Sequence, residues 1–278
     1  MISPVDLHLH TNASDGRLAP TELVRLVAER GLKVVSIADH DTTEGLEEAF
    51  ESAKQFPDLR IIPGIEINTD IPGDEVHVLG YFIQYRNEEF QEKLRRFRTG
   101  RIDRARRIVE KLAALGVVLD WERVREIAGD GAVGRPHIAL AMVENGYCSE
   151  PKRAFDEYLG RNSLAYVEHT QMTPVEAIQL LAGVGGVPVL AHPAYISNFE
   201  RLLPELKAAG LMGMEVYYAK FDEAKVEYLK RLASEHDLIP CGGSDYHALG
   251  NSDEPLPGTL GPPVETVERL EAAAGRDP

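Results

Sequence analysis

The chain has 278 residues, 44% of them hydrophobic and 27% charged, which excludes global disorder or a collagen-like fibre and suits one large α/β barrel or two smaller domains. Thirty Lys and Arg against 45 Asp and Glu leave a net charge of −15, which disfavours broad nonspecific binding to duplex DNA or a membrane surface. No apolar run approaches the ~18 residues of a membrane span, the start MISPVDLHLH meets charge and histidine too early for a signal peptide, and Cys148 and Cys241 are too few for a disulfide framework, so a reducing cytoplasm is expected, with both thiols as core residues.

In chain order, VDLHLH, VVSIADHD, RIIPGIEIN and EVHVLGYF read as strands, being short and β-branched or alternating. PTELVRLVAERG and TTEGLEEAFESAK between them read as helices, the first opening at Pro20 and stopping at Gly31. Alternation at this spacing predicts parallel βα units. From about Phe90 to Gly160 the period becomes helical: Phe97, Ala105, Ile108, Val109, Leu112 and Leu115 recur on one face, and WERVREIAG, RPHIALAMVENG and KRAFDEYLG follow as further helices. Alternation then resumes through TPVEAIQLLAGVGG, VPVLAHP, FERLLPELKAAG, GMEVYY, EAKVEYLKRLASEHD, LIPCGGSDYH and ETVERLEAAAG. The reading is an α/β barrel of seven strands, one short of eight, from residues 1–89 and 161–278, with residues 90–160 as an all-helical insertion able to cover the barrel mouth.

The polar residues in this pattern are not scattered. His8 and His10 stand two apart on a strand and so share a face. His40, Glu66, His192, Asp245 and His247 lie at or just past the C-terminal ends of apolar strands, His77 lies in EVHVLG, and Asp15 lies in the loop after the first strand. In a parallel α/β barrel those ends meet on one face, where active sites are built. A single strand-end histidine is usually a satisfied polar residue. Six histidines and three carboxylates at one end would carry a heavy desolvation cost unless a cation satisfied them. Imidazole and carboxylate without thiolate is a donor set for Mn, Fe or Zn.

Taken together, H-x-H (His8, His10), S-D-G (Ser14–Gly16), A-D-H-D (Ala38–Asp41), G-I-E (Gly64–Glu66), H-V-L-G (His77–Gly80), A-H-P (Ala191–Pro193) and S-D-Y-H (Ser244–His247) resemble the PHP (polymerase and histidinol phosphatase) family. The likeness spans essentially the whole chain and is closest to the stand-alone nucleotide phosphoesterases. It implies a distorted seven-stranded (βα)7 barrel with two to three divalent ions, manganese first and iron or zinc as alternatives. By motif position, one ion would take His8, His10, Glu66 and Asp245, a second would share Glu66 and take His77 and His192, and a third would take Asp15, His40 and His247. With three divalent ions such a site is about +3, which suits a phosphate dianion, and a metal-bound hydroxide is the expected nucleophile. Asp39 and Asp41 flank His40 and are expected to orient it. His169 and His236 match no motif and are left as surface or structural residues.

Seven arginines fall within RRFRTGRIDRARR, where a solvated basic face is the ordinary expectation. At 100° per residue, however, Arg101 shares the apolar face of Phe97, Ala105, Ile108 and Leu112, and Arg104 flanks it. An inward arginine needs an anion, and Arg135 and His137 open another helix, so Arg101, Arg104, Arg135 and His137 are the expected substrate-binding group. The resemblance implies removal of the 3′-phosphate from nucleoside 3′,5′-bisphosphates, and action on short oligonucleotides from the 5′ end, with no obligate protein partner. Histidinol phosphatase or another small-molecule phosphomonoesterase is the alternative, though the arginines would repel an amine. A noncatalytic PHP scaffold module is the alternative from another class.

Overall fold

The computed structural model describes residues 3–71, 74–128, 133–160, 163–167, 172–250 and 254–275, and of residue 101 the backbone alone. His169 therefore lies outside the described residues. Two compact units are present, one of Met1–Gln91 with Met172–Pro278 and one of Glu92–Gln171.

In the first unit, β1 (Val5–Leu9), β2 (Val34–Ile37) and β3 (Arg60–Ile71) pair in parallel, with α1 (Pro20–Glu29) and α2 (Leu46–Ala53) as the crossovers. Helix α1 starts where expected, with Pro20 in its first turn and Glu22 accepting from the Ala19 backbone at 2.9 Å. It stops before Gly31, whose φ of +81° lies in the left-handed region that glycine tolerates. Its apolar stripe Leu23, Val24 and Val27 packs in one buried cluster with Leu9, Val35, Ile37 and Leu46.

Pairing then departs from the parallel pattern that the alternation predicts. β4 (Asp74–Tyr81) is antiparallel to β3, with Asn68 opposite His77, and β5 (Val187–Leu190) is antiparallel to β4. A parallel return needs a crossover of a dozen or more residues, and only two residues separate β3 from β4. The chain has no option there but a hairpin.

α7 (Pro174–Gly183) precedes β5, and its cap is a reciprocal one: Thr173 Oγ1 accepts from Glu176 N at 3.2 Å while Glu176 accepts from Thr173 N at 2.7 Å. β6 (Gly213–Tyr218) and β7 (Ile239–Gly243) complete the sheet in parallel, after α8 (Leu203–Ala209) and α9 (Glu223–Glu235), and α10 (Glu265–Ala273) follows. The seven strands stand in sequence order, and the chain beyond β7 returns to β1: Asp245 N donates to His8 O at 2.9 Å and His10 N to Tyr246 O at 3.0 Å. The result is a nearly closed seven-stranded barrel. Val5, Leu7, Leu79, Tyr81, Val189 and Cys241 pack in a buried cluster with Val267 and Leu270 of α10.

The second unit contains α3 (from Glu88 to Ala114, its first turn belonging to the first unit), α4 (Trp121–Ala128), α5 (Arg135–Glu144) and α6 (Pro151–Ala154), the last running into a π turn over Phe155–Leu159. Ile108 and Leu112 bury there with Val124, Ile138, Met142 and Leu159, as the helical period predicts. Assigning everything after residue 160 to the barrel is corrected: Ala165 and Val167 pack in this helical core, and Ala165 N bonds to Tyr158 O at 3.0 Å.

Gly243 ends β7 against β1, where an added Cβ would stand 2.5 Å from His8 N and 2.7 Å from His8 Cβ. Gly243→Ala should therefore push β1 aside and cost about 1–3 kcal/mol. Gly183→Ala, with nothing within 4 Å, should leave stability unchanged or slightly higher. Thermal unfolding of the two variants beside the parent chain checks the contrast.

Candidate metal centre

The period of two along β1 puts Asp6, His8 and His10 on one face, and all three side chains are buried. Glu66, fully buried on β3, sits at the middle of what converges there. Its Oε2 lies 3.1 Å from His8 Nε2, 3.3 Å from His10 Nε2 and 3.2 Å from His40 Nδ1. Its Oε1 lies 2.9 Å from His77 Nδ1 and 3.1 Å from His192 Nε2. Five imidazoles thus surround one carboxylate. Asp245 Oδ1 adds contacts of 3.4 Å to His8 and 3.2 Å to His10, while Asp15 stands 3.3 Å from His247 Nε2 and 3.6 Å from His40 Nε2. All nine residues expected from the sequence are therefore in one place. His77 reaches it by a different route from the rest, from the N-terminal half of an antiparallel strand.

Three sets of donor atoms in this cluster are close enough to share an ion: His8, His10, Glu66 and Asp245; His10, Asp15, His40 and His247; and His40, Glu66 and His77. Glu66 stands in two sets, as the motif positions imply, and His10 and His40 do too, although the motif positions give each of them to one ion. Spacings of 3.1–3.4 Å between donors are those of atoms each ~2.0–2.2 Å from one ion. His10 provides the test of fit. It is 1% exposed, and neither ring nitrogen makes a hydrogen bond among the described residues, although both face carboxylate oxygens at 3.2–3.6 Å. Packing alone would leave two buried polar atoms unsatisfied, whereas a divalent ion uses them.

Outer contacts decide which nitrogen of each ring faces inward. His247 Nδ1 must donate to the Asp245 backbone oxygen at 2.8 Å, a pure acceptor, which leaves its Nε2 to face Asp15. His8 Nδ1 lies 3.0 Å from Glu215 Oε1, which leaves His8 Nε2 to the cluster. Glu215 Oε2 also accepts from His192 N at 2.7 Å, and Tyr218 donates its hydroxyl to Asp245 Oδ2 at 2.7 Å. Neither Glu215 nor Tyr218 is among the residues expected from the sequence. The signal was present in GMEVYY: an acid between the buried Met214 and Val216, and a tyrosine at that strand's C-terminal end. Counting Glu215 lowers the net charge of a three-ion site to about +2.

Asp39 is corrected. Its carboxylate accepts from Thr11 N at 2.7 Å, Thr11 Oγ1 at 2.6 Å and Ser14 Oγ at 2.6 Å, so it ties down the loop that carries Asp15 and does not orient His40. Asp41 accepts from Asn68 N at 3.0 Å.

The electrostatics agree with cation binding. Burial opposes charge on Glu66, yet His40, His8 and His77 hold its carboxyl well below the usual range. Asp15 is held down in the same way by His247 and His40, and Asp245 by His8 and His247. Burial also opposes a charged His8, but Glu215, Glu66 and Asp245 raise its imidazole well above the ordinary value. His10 is raised to about 10 by Asp245 and Glu66, again against burial. His40 is pushed down to about 3 by its burial. The field that draws protons onto His8 and His10 also favours divalent ions, which displace those protons.

The cluster opens on a cavity of about 410 Å³, within the range of small-molecule sites, whose wall includes Asp74, Glu75, Tyr195, Ile196 and Tyr218. Arg104, Arg135 and His137 belong to the helical unit, and the side chain of Arg101 lies outside the described residues. Arg104 is buried, bonds Val167 O at 2.9 Å and stands over the Tyr166 ring. Arg135 bonds Leu159 O at 3.3 Å and stands over Phe155, while His137 Nδ1 accepts from Gly134 N at 3.0 Å, a cap at the start of α5. His236 follows α9 as its C-terminal cap.

Comparison with known proteins agrees with this geometry. The PHP domain family matches residues 6–147. A 5′-3′ exoribonuclease of Haemophilus influenzae is 33% identical over 251 residues, covering 89% of this chain and 91% of that protein. A 3′,5′-nucleoside bisphosphate phosphatase of Chromobacterium violaceum is 30% identical over 251 residues, covering 88% of each. A solved structure from Bifidobacterium adolescentis, assigned to the metal-dependent phosphoesterases, matches with a TM-score of 0.86 at 31% identity over 97% of this chain and 96% of that one. Fold and site together define a barrel hydrolase with a cluster able to bind metal ions. The chain belongs to the PHP family and is a phosphoric ester hydrolase, which sets aside the noncatalytic scaffold.

Glu215→Gln should weaken metal binding about 10–100-fold, because the His8 ring and the His192 backbone lose the carboxylate that fixes them. Metal titration of the variant, with thermal unfolding to confirm the fold, checks it.

Proposed function

We propose that this hydrolase removes the 3′-phosphate from nucleoside 3′,5′-bisphosphates and acts on short oligonucleotides from the 5′ end. The observation that carries the reading is the convergence of nine imidazole and carboxylate residues in one cluster, six of which (His40, Glu66, His77, His192, Asp245 and His247) line a cavity of about 410 Å³. The names of the relatives from Haemophilus and Chromobacterium support the substrate class. A cytoplasmic site of action belongs to the same reading, supported by the buried free thiols Cys148 and Cys241; among the described residues, no helix is long and apolar enough to cross a membrane.

Two to three divalent ions, manganese first, would be held by His8, His10, Glu66 and Asp245, by Glu66 with His77 and His192, and by Asp15, His40 and His247. Such ions supply Lewis acidity, which makes water a nucleophile near neutral pH and offsets charge on the phosphoryl oxygens. The chain's own groups prepare the site. Glu66 stays ionised and offers one oxygen to each side of the cluster. Glu215 and the Asp245 carbonyl turn Nε2 of His8 and His247 inward, and Tyr218 holds Asp245.

Arg101, Arg104, Arg135 and His137 are proposed as the group that holds the second phosphate, on the strength of their chemistry: three guanidinium groups and a ring N–H matched to a dianion. A second reading, a phosphomonoesterase for an amine-bearing ester such as histidinol phosphate, draws on Asp74 and Glu75 in the cavity wall. Asp74 is already engaged by Ser197 N at 2.6 Å and Glu75 N at 3.0 Å, which weakens that reading.

Phosphate release from adenosine 3′,5′-bisphosphate, adenosine 3′-phosphate and histidinol phosphate, with Mn²⁺ or a chelator, separates the readings. The bisphosphate should give the highest kcat/KM and the chelator should abolish turnover. A preference for histidinol phosphate would reverse the order of the two readings. Glu66→Gln should lose more bound metal than Asp15→Asn by elemental analysis. Arg135→Ala should cost about 10–100-fold in kcat/KM with the bisphosphate, and little with the monophosphate if the residue grips the remote phosphate.

A further inference from the structure

One part of the cavity wall has no role in the metal centre, and it is aromatic. Tyr195 ends the short turn Pro193–Tyr195 directly after His192, lines the cavity, and is 58% exposed. Its ring centroid lies 6.1 Å from that of His192, so the exposed ring begins about one sugar's width from the cluster. Tyr218 meets it edge-on at 5.8 Å and 81°, and Phe221 lies at 5.7 Å. The turn is braced at both ends: His192 N is held by Glu215 at 2.7 Å, and Ser197 N by Asp74 at 2.6 Å. A large ring exposed to solvent, yet held by two aromatic neighbours and a braced turn, is pre-organised to receive a flat partner at small entropic cost.

We propose that Tyr195 is a stacking platform for the nucleobase, carrying the base while the substrate's phosphate occupies the histidine–carboxylate centre. The proposal deepens the nucleotide reading and rests on it for the identity of the reaction, but not for the contact itself. It makes the enzyme selective for nucleotides over sugar phosphates and tolerant of base identity, because stacking uses the π face that every base has and reads no hydrogen-bonding edge. Tyr195 acts in binding and touches no reacting atom.

The test compares affinity for adenosine 5′-phosphate with affinity for ribose 5-phosphate, by calorimetry on the Mn²⁺-loaded full chain, for the parent, Tyr195→Phe and Tyr195→Ser. The parent and Tyr195→Phe should prefer the nucleotide. Tyr195→Ser should lose about five- to a hundredfold in affinity for the nucleotide and bind ribose 5-phosphate as the parent does. In turnover of adenosine 3′,5′-bisphosphate the loss should appear in KM more than in kcat, and uridine and adenosine substrates should be affected alike. An unchanged preference in Tyr195→Ser would overturn the platform, as would equal losses for both ligands, which would make the ring a structural element. If 3′-phosphate release fails in the parent while the Tyr195-dependent preference persists, the proposed reaction falls and the platform stands.

Discussion

A fully buried, ionised carboxylate sets the terms for this barrel. Glu66 is closed off from water, and desolvating its charge is tolerable only if compensating groups surround it. They come from separate parts of the sheet: His8 from β1 and His10 just past it, His40 from beyond β2, His77 from β4 and His192 from beyond β5. No single segment could supply them. The convergence that neutralises Glu66 therefore requires the curved sheet, and the seam between β7 and β1 is fastened by backbone groups of His8 and His10, residues that also face Glu66. Below this layer Asp6 does similar work for the backbone, accepting from His8 N at 3.3 Å, Ser244 N at 3.0 Å and Gly258 N at 2.8 Å; its burial raises its carboxyl to about 6.

Much of this was legible in the sequence because strand ends are marked twice, by an apolar run stopping and by a polar residue following it. VVSIADH, VPVLAHP and LIPCGGSDYH each show both marks, and the structure brings His40, Asp245 and His247 into the donor sets and His192 against Glu66. The rule fails for strand direction, because periodicity describes which face a side chain takes and not which way the strand runs. Only the two-residue separation between the third and fourth strands signals the hairpin. The reversal has a functional use: it lets His77, in the N-terminal half of β4, stand opposite Asn68 and reach the same end of the barrel.

What was not legible acts one step behind the donors. Glu215 looks in the sequence like a lone acid in an apolar strand, and its value depends on two groups far away in the chain, His8 Nδ1 and His192 N. Asp39 sits beside His40 and invites a local reading, yet its carboxylate accepts from Thr11 and Ser14. Proximity in sequence is a poor guide for such residues because a strand sends neighbouring side chains to opposite faces. In the helical unit, amphipathic phase put Arg104 only at the flank of the apolar face, whereas the fold buries it against the Val167 carbonyl and the Tyr166 ring.

The backbone around the centre is strained in a consistent place. Asp41, His192 and Asp245 have φ of +54°, +26° and +54°, a region non-glycine residues occupy at about 1–3 kcal/mol each. Each is pinned by a backbone N–H donated to another part of the centre: Asp41 N to Glu66 O at 2.8 Å, His192 N to Glu215 at 2.7 Å, and Asp245 N to His8 O at 2.9 Å. The turns that aim the donors are thus held by the strands that carry the other donors. Relaxing any one turn would break a hydrogen bond inside the cluster and expose part of Glu66's charge, so the strain and the buried carboxylate hold each other in place. The fold itself fixes the donors through these hydrogen bonds, which is the condition under which binding energy from the rest of a substrate can go into orienting the scissile group instead of organising the protein.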